Sequence, residues 1–235
     1  METITRIGII GAMEDEVSAI RQQMNITDTQ TIASMEFCCG TLKGKEAVVV
    51  QCGMGKVNAG ICAQMLISVF GVNAVVNTGV AGSLNNDINI GDIVVSTDAL
   101  YHDVDATVFG YAKGEVPQLG TASFTADEML RASAVRAIRE ADPDIQVFEG
   151  RVASGDQFIC DRAVKNRIRD TFHADCCEME GAAIAQASWI NGIPFVIVRA
   201  ISDKADESVT VSYDEFEGKA AEHCARLVEY MVRHF

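Results

Sequence analysis

The chain has 235 residues, of which 49% are hydrophobic and only three are proline, so it can bury a substantial core and is too apolar for extended disorder. Its formal net charge of −14 argues against a nucleic-acid backbone or an anionic membrane as the main partner, but not against a small nucleoside in a local pocket. The N-terminal apolar run is too short for a signal peptide, and no stretch approaches the roughly 20 apolar residues of a membrane span. We therefore expect a cytoplasmic protein that binds neither nucleic acid nor membrane.

Short β-rich runs alternate with helical patterns along the chain, which predicts an α/β sheet with helices on its faces. The first strand is RIGIIGA, followed by a helix at EDEVSAIRQQM and a hairpin that turns at Lys43–Gly44. A helix at VNAGICAQMLISVFG ends at Gly71. The next two strands are AVVNTGVAGS, which ends in a loop of small residues, and GDIVVSTDALYHD.

The segment from Val104 to Thr121 mixes glycines and a proline with aromatic residues and is the longest predicted loop, a place where function is often found. A helix with Thr125 as its N-cap follows, and then the strand VFEGRVASGDQF. DRAVKNRIRDTF predicts a polar, exposed helix. The last elements are a short strand leading into an alanine-rich helix, the strand of PFVIVRAISD, and a final helix. Neither a repeat nor a linker divides the chain, which predicts one domain over residues 1–235.

The eight cysteines have neither disulfide nor metal-site spacing. Cys38–Cys39 and Cys176–Cys177 are adjacent pairs, the other four stand alone, and there is no CxxC. The four histidines are equally scattered, so we expect no metal and cysteines that serve mostly as small core residues. GMGKVNAG lacks both the GxGxxG and the P-loop pattern, so we expect no nucleotide cofactor.

Acidic residues follow several of the predicted strands. In open α/β sheets, ligands bind beyond the carboxyl ends of the strands, and glycine at those ends lets the backbone approach a ligand closely. The acids there are Glu16, Glu178, Glu180 and Asp203. Each also has an ordinary explanation, either the first turn of a helix or a surface turn. The apolar residues beside them, which core packing would equally explain, are Met13, Met54, Phe158 and Met179.

Arg199 interrupts an apolar strand that runs from Phe195 to Ile201 and ends at Ser202 and Asp203. A buried guanidinium needs a carboxylate partner, because an unpaired charge in a core is strongly unfavourable. The strand therefore predicts that an acid lies near Arg199 in the fold. Taken alone, Asp203 is either a turn residue or an acid held at the mouth of a pocket.

A set of short motifs runs along the chain, namely GIIGAMEDE, GMGKVNAG, NTGVAG, GDIVVS, YHDVD, FGY, SGDQF, EMEG and VRAISDKAD with the later SYDEF. Together these motifs resemble one enzyme family, the 5′-methylthioadenosine/S-adenosylhomocysteine nucleosidases. They occur in the family's order and span nearly the whole chain, so the set is specific although each motif alone is weak. The resemblance implies a three-layer α/β/α sandwich around a mixed central sheet, the fold of the nucleoside phosphorylases.

The implied reaction is hydrolysis of the N9–C1′ bond of 5′-methylthioadenosine, S-adenosylhomocysteine and 5′-deoxyadenosine, with no cofactor. By the resemblance, Asp203 is the general acid that protonates N7 of the departing adenine. Glu16 matches the carboxylate that activates the attacking water, and Arg199 resembles the residue that helps to orient it. We accordingly expect Glu16 to be the partner of Arg199.

The resemblance also implies how the substrate is held. Glu180 would bind the ribose hydroxyls beside Met179, and Glu178 would support the 2′-hydroxyl side. Phe158 would stack on adenine, while the backbone of Ile159 reads its edge. The further implied positions are Ser202, which would help to hold the acid, and the loop residues Val80, Ala81 and Gly82.

The 5′-thio tail needs an apolar slot, for which Met13, Met54, Tyr213 and the 104–117 loop are candidates. In the family, part of that loop reaches into the site of the neighbouring subunit, which implies a homodimer. The loop positions concerned are Ala106, Phe109 and Pro117, with Tyr111 closing over the tail.

Three positions depart from the family pattern. Val80 stands where many relatives carry a serine that helps to hold the catalytic acid, so one hydrogen bond to Asp203 is in doubt. Tyr213 replaces a common phenylalanine, and Ala106 a larger aliphatic residue. Both lie in the implied tail slot, so tail preference is the least determined property.

Three other functions fit parts of the sequence. A phosphorylase would need an arginine cluster or an anion-binding nest, where GAMEDE offers acids instead. A futalosine-type nucleosidase of menaquinone synthesis would have the same fold and acids, and stays open. A silent nucleoside-binding protein would have no use for Glu16, Glu180 and Asp203 together.

Overall fold

The computed structural model describes residues 4–206 and 209–233, with side chains described in these ranges except at 209–217 and 222. Ten strands and six α-helices lie within these residues. The strands are β1 Arg6–Gly11, β2 Asn25–Ile32, β3 Met35–Leu42, β4 Lys45–Gln51, β5 Ala74–Ser83, β6 Ile93–Tyr101, β7 Phe124–Thr125, β8 Val147–Ser154, β9 Cys176–Glu178 and β10 Phe195–Asp203. The helices are α1 Glu14–Gln23, α2 Lys56–Ser68, α3 Glu128–Ala141, α4 Arg162–Phe172, α5 Gly181–Ile190 and α6 Val209–Val232.

The strands form one mixed sheet in the order β10-β6-β8-β9-β5-β1-β4-β3-β2, with β7 paired to β6. The sheet also folds back on itself, because β10 pairs in parallel with β5 and antiparallel with β6. Five strands therefore close into a ring, namely β5, β10, β6, β8 and β9. The ring brings the end of β10 beside Gly82 of β5, and Gly82 is paired in turn with Cys177 of β9.

Helices cover both faces of the sheet. On one face α2 packs against α5, with Leu66 and Ile184 in the shared core. On the other face α1 and α3 pack against α6, with Val17 and Val228 in a second core. The predicted α/β/α layering around a mixed sheet is confirmed.

Two turn signals act as the sequence predicts. The hairpin of β3 and β4 turns at Lys43 and Gly44, whose φ angles of 49° and 83° are the left-handed pair that a two-residue hairpin favours. Gly71 has a φ of 64° just after α2. The long predicted loop holds only a single 3-10 turn, Thr107–Phe109.

Several local predictions were wrong. The N-cap of α3 is Asp127, which accepts a hydrogen bond from the Leu130 N–H at 2.9 Å, whereas Thr125 lies in β7. Strand β5 continues through Ser83 instead of ending in a loop, because its last residues pair with β9. Strand β2 was not predicted, since it is polar and almost wholly exposed and so lacks an alternating pattern.

Helix α4 is not exposed all round, as its polar sequence had predicted. Lys165, Ile168 and Phe172 are buried, and their spacing places them on one face of the helix. The cysteines behave as predicted: all eight are free thiols, Cys160 is exposed, Cys39 is half-buried, and the others are buried. No helix in the described part of the chain is long and apolar enough to cross a bilayer.

Candidate active site

A cleft opens at the carboxyl ends of the strands. Open solvent included, it holds about 570 Å³ of empty space. Most of the predicted site residues line it: Met13, Glu16, Met54, Val80, Ala81, Gly82, Phe158, Ile159, Glu178, Met179, Glu180, Ser202 and Asp203. The ring closure of the sheet is what brings residues so distant in sequence to one place.

Asp203 ends β10 and lies in the cleft wall with 2% of its surface exposed. Its Oδ1 accepts a hydrogen bond from the Ala205 N–H at 2.7 Å, and its Oδ2 accepts one from the Ser202 hydroxyl at 2.9 Å. Burial raises the pKa of Asp203, against the lowering effect of these two donors. A raised pKa keeps more of the carboxyl protonated near neutral pH, as a general acid requires.

Glu16 lies in the first turn of α1, is buried, and also lines the cleft. Its Oε2 accepts hydrogen bonds from the Ala12 and Met13 N–H groups at 2.5 and 3.0 Å, and its Oε1 accepts one from the Val80 N–H at 3.0 Å. Burial raises the pKa of Glu16, opposed by the charge of Arg199 and by these N–H groups. A buried carboxylate so held can take a proton from a water in the cleft.

Arg199 is paired with Glu178, so the expectation that Glu16 is its partner was wrong. Its Nη2 donates to Glu178 Oε2 and to Asn77 Oδ1, and lies 3.7 Å from Glu180 Oε2. The physical reason is the ring closure, which places β9 with Glu178 next to β5 and close to β10. Glu16 and Arg199 interact through their charges without forming an ion pair. Arg199 lies beneath the cleft and does not line it.

The backbone of β5 holds both groups in place. The Val80 N–H donates to Glu16, and the Val80 carbonyl accepts from Arg199 Nη1 at 3.4 Å. Gly79 leaves the space for this arrangement, since a Cβ there would collide with Glu16 Oε1 and Arg199 Nη1. The Val80 side chain, which stands in for a common serine, leaves Asp203 with the hydrogen bonds of its own turn.

Glu178 is held by four hydrogen-bond donors. It accepts hydrogen bonds from the Ser154 hydroxyl, from the N–H groups of Glu180 and Gly181 at 3.0 and 2.7 Å, and from Arg199. A carboxylate offers about four lone-pair sites. Three of these donors bind Oε2 and only the Ser154 hydroxyl binds Oε1, so Glu178 anchors Arg199 and the start of α5, while its predicted support of the 2′-hydroxyl side stays a prediction.

Glu180 is the third acid of the cleft. Its Oε1 accepts a hydrogen bond from the Gly55 N–H at 2.8 Å, and its Oε2 has no partner closer than Arg199 at 3.7 Å among the described residues. Burial, and then the charge of Glu178, raises the pKa of Glu180 to about 7. Glu180 therefore has acceptor capacity left for hydroxyl groups of a ligand.

An ion-pair network holds the loop that carries Gly55. Lys56 Nζ lies 2.7 and 2.6 Å from the two carboxylate oxygens of Asp103 and 3.6 Å from Asp156. The Lys56 N–H donates to Asp156 at 2.9 Å, and the Asp156 N–H donates to Asp103 at 3.0 Å. The network ties the start of α2 to the segments that follow β6 and β8 at the cleft mouth.

Three lining residues were not predicted: Ala12, Gln157 and Cys177. Each of them is the direct sequence neighbour of a predicted site residue, and only this adjacency could have indicated from the sequence that they line the cleft. Burial raises the pKa of the Cys177 thiol, so it stays neutral and acts as a small soft group in the wall. Phe158 and Met54 are 53% and 63% exposed and form the outer apolar rim.

The predicted tail residues of the 104–117 loop do not line the cleft of their own chain. Ala106 is buried, Tyr111 is half-buried and Pro117 is exposed, while Phe109 is 80% exposed. Val104 and Val116 of the loop lie beside α2 and α5, and the closure of Tyr111 over the 5′-thio tail stays a prediction. Tyr213 lies outside the residues whose side chains are described.

The charge of the cleft is one-sided. Its wall carries the carboxyl groups of Glu16, Glu178, Glu180 and Asp203, and no lysine, arginine or histidine is among the described residues that line it. Arg199 neutralises part of this charge from below. The arrangement suits a neutral or cationic ligand and repels an anion.

Comparisons with known proteins agree with this geometry. The family model described as the phosphorylase superfamily matches residues 6–233. The 5′-methylthioadenosine/S-adenosylhomocysteine nucleosidase of Halalkalibacterium halodurans is 43% identical over 230 residues, 97% of this chain and 98% of that protein. The crystal structure of such a nucleosidase from Neisseria meningitidis in complex with methylthio-immucillin-A matches with a TM-score of 0.95 at 39% identity, over 99% of this chain and 100% of that chain. Futalosine hydrolase of Helicobacter pylori matches with a TM-score of 0.93 at 33% identity, over 99% of both chains. The chain belongs to the 5′-methylthioadenosine/S-adenosylhomocysteine nucleosidase family, within the phosphorylase superfamily.

Proposed function

We propose that the protein hydrolyses the N-glycosidic bond of 5′-methylthioadenosine and S-adenosylhomocysteine, and also of 5′-deoxyadenosine, releasing adenine and the substituted ribose. The names of its relatives support this substrate class. The observation that carries the proposal is the meeting of Asp203 and Glu16 in one cleft, both buried and both with a raised pKa. Such groups are typical of general acid and base catalysis.

Asp203 is the general acid. As the N9–C1′ bond breaks, its electron pair passes into the adenine ring, and N7 takes the proton of the Asp203 carboxyl, so adenine leaves as a neutral molecule. Burial raises the pKa of Asp203 and so favours the protonated carboxyl before the step. After it, the Ala205 N–H and the Ser202 hydroxyl stabilise the carboxylate.

Glu16 is the general base. The ribosyl group becomes oxocarbenium-like, water adds its oxygen to C1′, and the released proton passes to Glu16. Burial raises the pKa of Glu16, and the nearby charge of Arg199 lowers it. Arg199 thereby favours the ionised form of the base. Arg199 therefore acts on the water through Glu16 rather than by contact.

Glu180 holds the ribose, because its Oε2 is available to hydroxyl groups while its Oε1 is fixed by Gly55. Phe158 presents an exposed ring on which adenine stacks, and the backbone of Ile159 beside it reads the edge of the base. Met179 lies against the sugar, and Met13 and Met54 offer soft apolar surface to the 5′-thio tail.

The proposal predicts that adenine is released from 5′-methylthioadenosine in a buffer free of phosphate. The acidic wall of the cleft supports hydrolysis over phosphorolysis, since phosphate would meet like charges there. The test follows adenine and the sugar product with and without phosphate. An absolute need for phosphate, with ribosyl phosphate formed, would contradict the proposal, and a complete lack of turnover would favour a silent nucleoside-binding protein.

A second candidate is hydrolysis of a futalosine-type nucleoside such as aminodeoxyfutalosine. The match to futalosine hydrolase of Helicobacter pylori favours it, because the TM-score of 0.93 is nearly that of the nucleosidase structure. Both reactions would use the same acids. Parallel assays on the four nucleosides, compared by kcat/KM, decide between the two candidates.

The proposal includes a homodimer in which each subunit completes the site of its partner. Val108 and Phe109 are 84% and 80% exposed in the described chain, which is unusual for large apolar side chains side by side. Met54, at the cleft rim, is exposed too. In such a dimer, the loop of one subunit would close the 5′-thio tail slot of the other, with Ala106, Phe109 and Pro117 as the contributing residues. The cytoplasmic location expected from the sequence stays a prediction.

A further inference from the structure

The turn that follows Asp203 is held from two sides by lysine side chains. Lys165 on α4 donates from Nζ to the carbonyl oxygen of Lys204 at 2.6 Å. Lys204 in turn donates from its own Nζ to the carbonyl of Ile88 at 2.5 Å and to Asn89 Oδ1 at 3.2 Å. The residue directly after the proposed acid is therefore fixed at both its backbone and its side chain.

This fixation matters because the next residue is strained. Ala205 has a φ of 51°, a left-handed conformation that is unfavourable for a residue with a side chain, because its Cβ comes too close to the backbone. In this conformation the Ala205 N–H points back to Asp203 Oδ1 at 2.7 Å. A strained conformation persists only where the surroundings impose it. The two anchors of Lys204 are the surroundings that do so.

Lys165 is also an unexpected group at its position. It is 3% exposed, on the helix face that carries Ile168 and Phe172, where an apolar side chain would pack without loss of solvation. Burial lowers the pKa of Lys165, and the charge of Asp206 opposes this effect. A buried ammonium in an apolar cluster points to a task that an apolar residue could not perform.

The charge of Lys165 also reaches the acid. The pKa of Asp203 depends first on burial and on the hydrogen bonds from Ala205 and Ser202. Two nearby charges also act on it: that of Asp206 raises the pKa, and that of Lys165 lowers it. From β9, the thiol of Cys177 faces the same carboxyl and is neutral. Loss of Lys165 would thus remove a charge that favours the ionised acid.

We propose that Lys165 is a positioning residue for Asp203, which fixes the turn that presents the Ala205 N–H to the acid. The expected effect of Lys165 on turnover rests on the proposed function. Lys165 does not line the cleft, so its action is indirect.

The test is Lys165→Met, assayed on 5′-methylthioadenosine. We expect kcat to fall about tenfold or more, with KM changed far less, because the reacting geometry and not substrate binding is disturbed. The alkaline limb of the pH profile of kcat/KM should move to higher pH, since Lys165 and the Ala205 N–H both lower the pKa of Asp203. Lys165→Arg, which keeps the charge and a donor, should restore the position of the limb. Arg167→Met, at an exposed position of the same helix, is the matched control and should leave the profile unchanged.

A scaled-down profile with an unmoved limb would mean a merely structural role and would overturn the inference. The same shift is readable without turnover from the carboxyl ¹³C resonance of Asp203, assigned with Asp203→Asn. An inactive wild type would therefore refute the proposed function alone, while the titration would still decide the role of Lys165. If Lys165→Met does not fold, Lys204→Met removes the second anchor of the turn: a lower kcat with a shifted limb supports the inference, and an unchanged profile overturns it.

Discussion

The guanidinium of Arg199 and the carboxylate of Glu178 form an ion pair in which the two side chains are only 1% and 3% exposed. Arg199 lies beneath the cleft, whereas Glu178 lines its wall, and the two have further hydrogen-bond partners in Asn77 and the Ser154 hydroxyl. The pair is therefore both a part of the core and a support for the acids of the site. Its energetic role differs from that of an exposed ion pair, because neither partner can turn to water when the other is lost.

Glu178→Gln should lower the free energy of unfolding by about 3–5 kcal/mol, because it leaves the Arg199 charge without its main partner in the core. Urea unfolding followed by circular dichroism measures the change. The matched control is Glu149→Gln, which breaks the ion pair between Glu149 and Arg131. Because these two side chains are 45% and 27% exposed, the control should lower the free energy of unfolding by no more than about 1 kcal/mol. Equal losses in the two variants would contradict the assigned role of the buried pair.

Glu180 should make the stability of the protein depend on pH between about 4.5 and about 7. Its pKa is raised from 4.5 to about 7 in the fold, so in this window the folded state binds more protons than the unfolded state. Stability from this group is thus highest below the window and falls as pH rises through it, by roughly 1–3 kcal/mol. The difference in unfolding free energy between the wild type and Glu180→Gln, measured from pH 4.5 to 8, should decline accordingly. A flat or rising difference would show that Glu180 is ionised throughout.

Lys56→Met should weaken substrate use although Lys56 lies outside the cleft wall. Loss of its bonds to Asp103 frees the loop that carries Gly55, whose N–H fixes Glu180. We expect kcat/KM to fall about tenfold through loss of positioning. The control is Lys43→Met, because the ion pair of Lys43 with Glu229 is buried to a similar degree at a distant site. A similar effect of both variants would mean a general loss of stability.

Phe109→Ser should weaken self-association and lower kcat/KM together, if the exposed loop completes the site of a second copy. Sedimentation at several protein concentrations measures the first effect and steady-state assays the second. Met129→Ser removes another exposed apolar side chain, on α3, and should change neither. A wild type that sediments as a monomer at assay concentrations, with full activity, would refute the shared site.

The convergence of Asp203, Glu16 and Glu180 could be predicted from the sequence, because each lies at or shortly after the end of a strand and the carboxyl ends of such strands meet. The partner of Arg199 could not. Its pairing with Glu178 depends on the closure of five strands into a ring, which is a long-range property that no local pattern encodes. Strand β2 was missed for a local reason, because its exposed polar residues show no hydrophobic periodicity.

Lys165 was missed because composition outweighed spacing. The helix is polar overall, and its buried face consists of only Lys165, Ile168 and Phe172. These positions have the spacing of a helix stripe, so the face itself was recognisable. The lysine in this face is explained only by its hydrogen bond to the carbonyl oxygen of Lys204, which lies 39 residues further along the chain.

The central claim is that Asp203 is the acid for a departing adenine. The most direct test is the rate of adenine release from 5′-methylthioadenosine by Asp203→Asn in phosphate-free buffer, with the unfolding midpoint and adenine binding as evidence of an intact fold and cleft. The account predicts that the variant folds and binds adenine, and that kcat falls by about 10²–10⁴, the usual contribution of a general acid. A variant that releases adenine at close to the wild-type rate would contradict it.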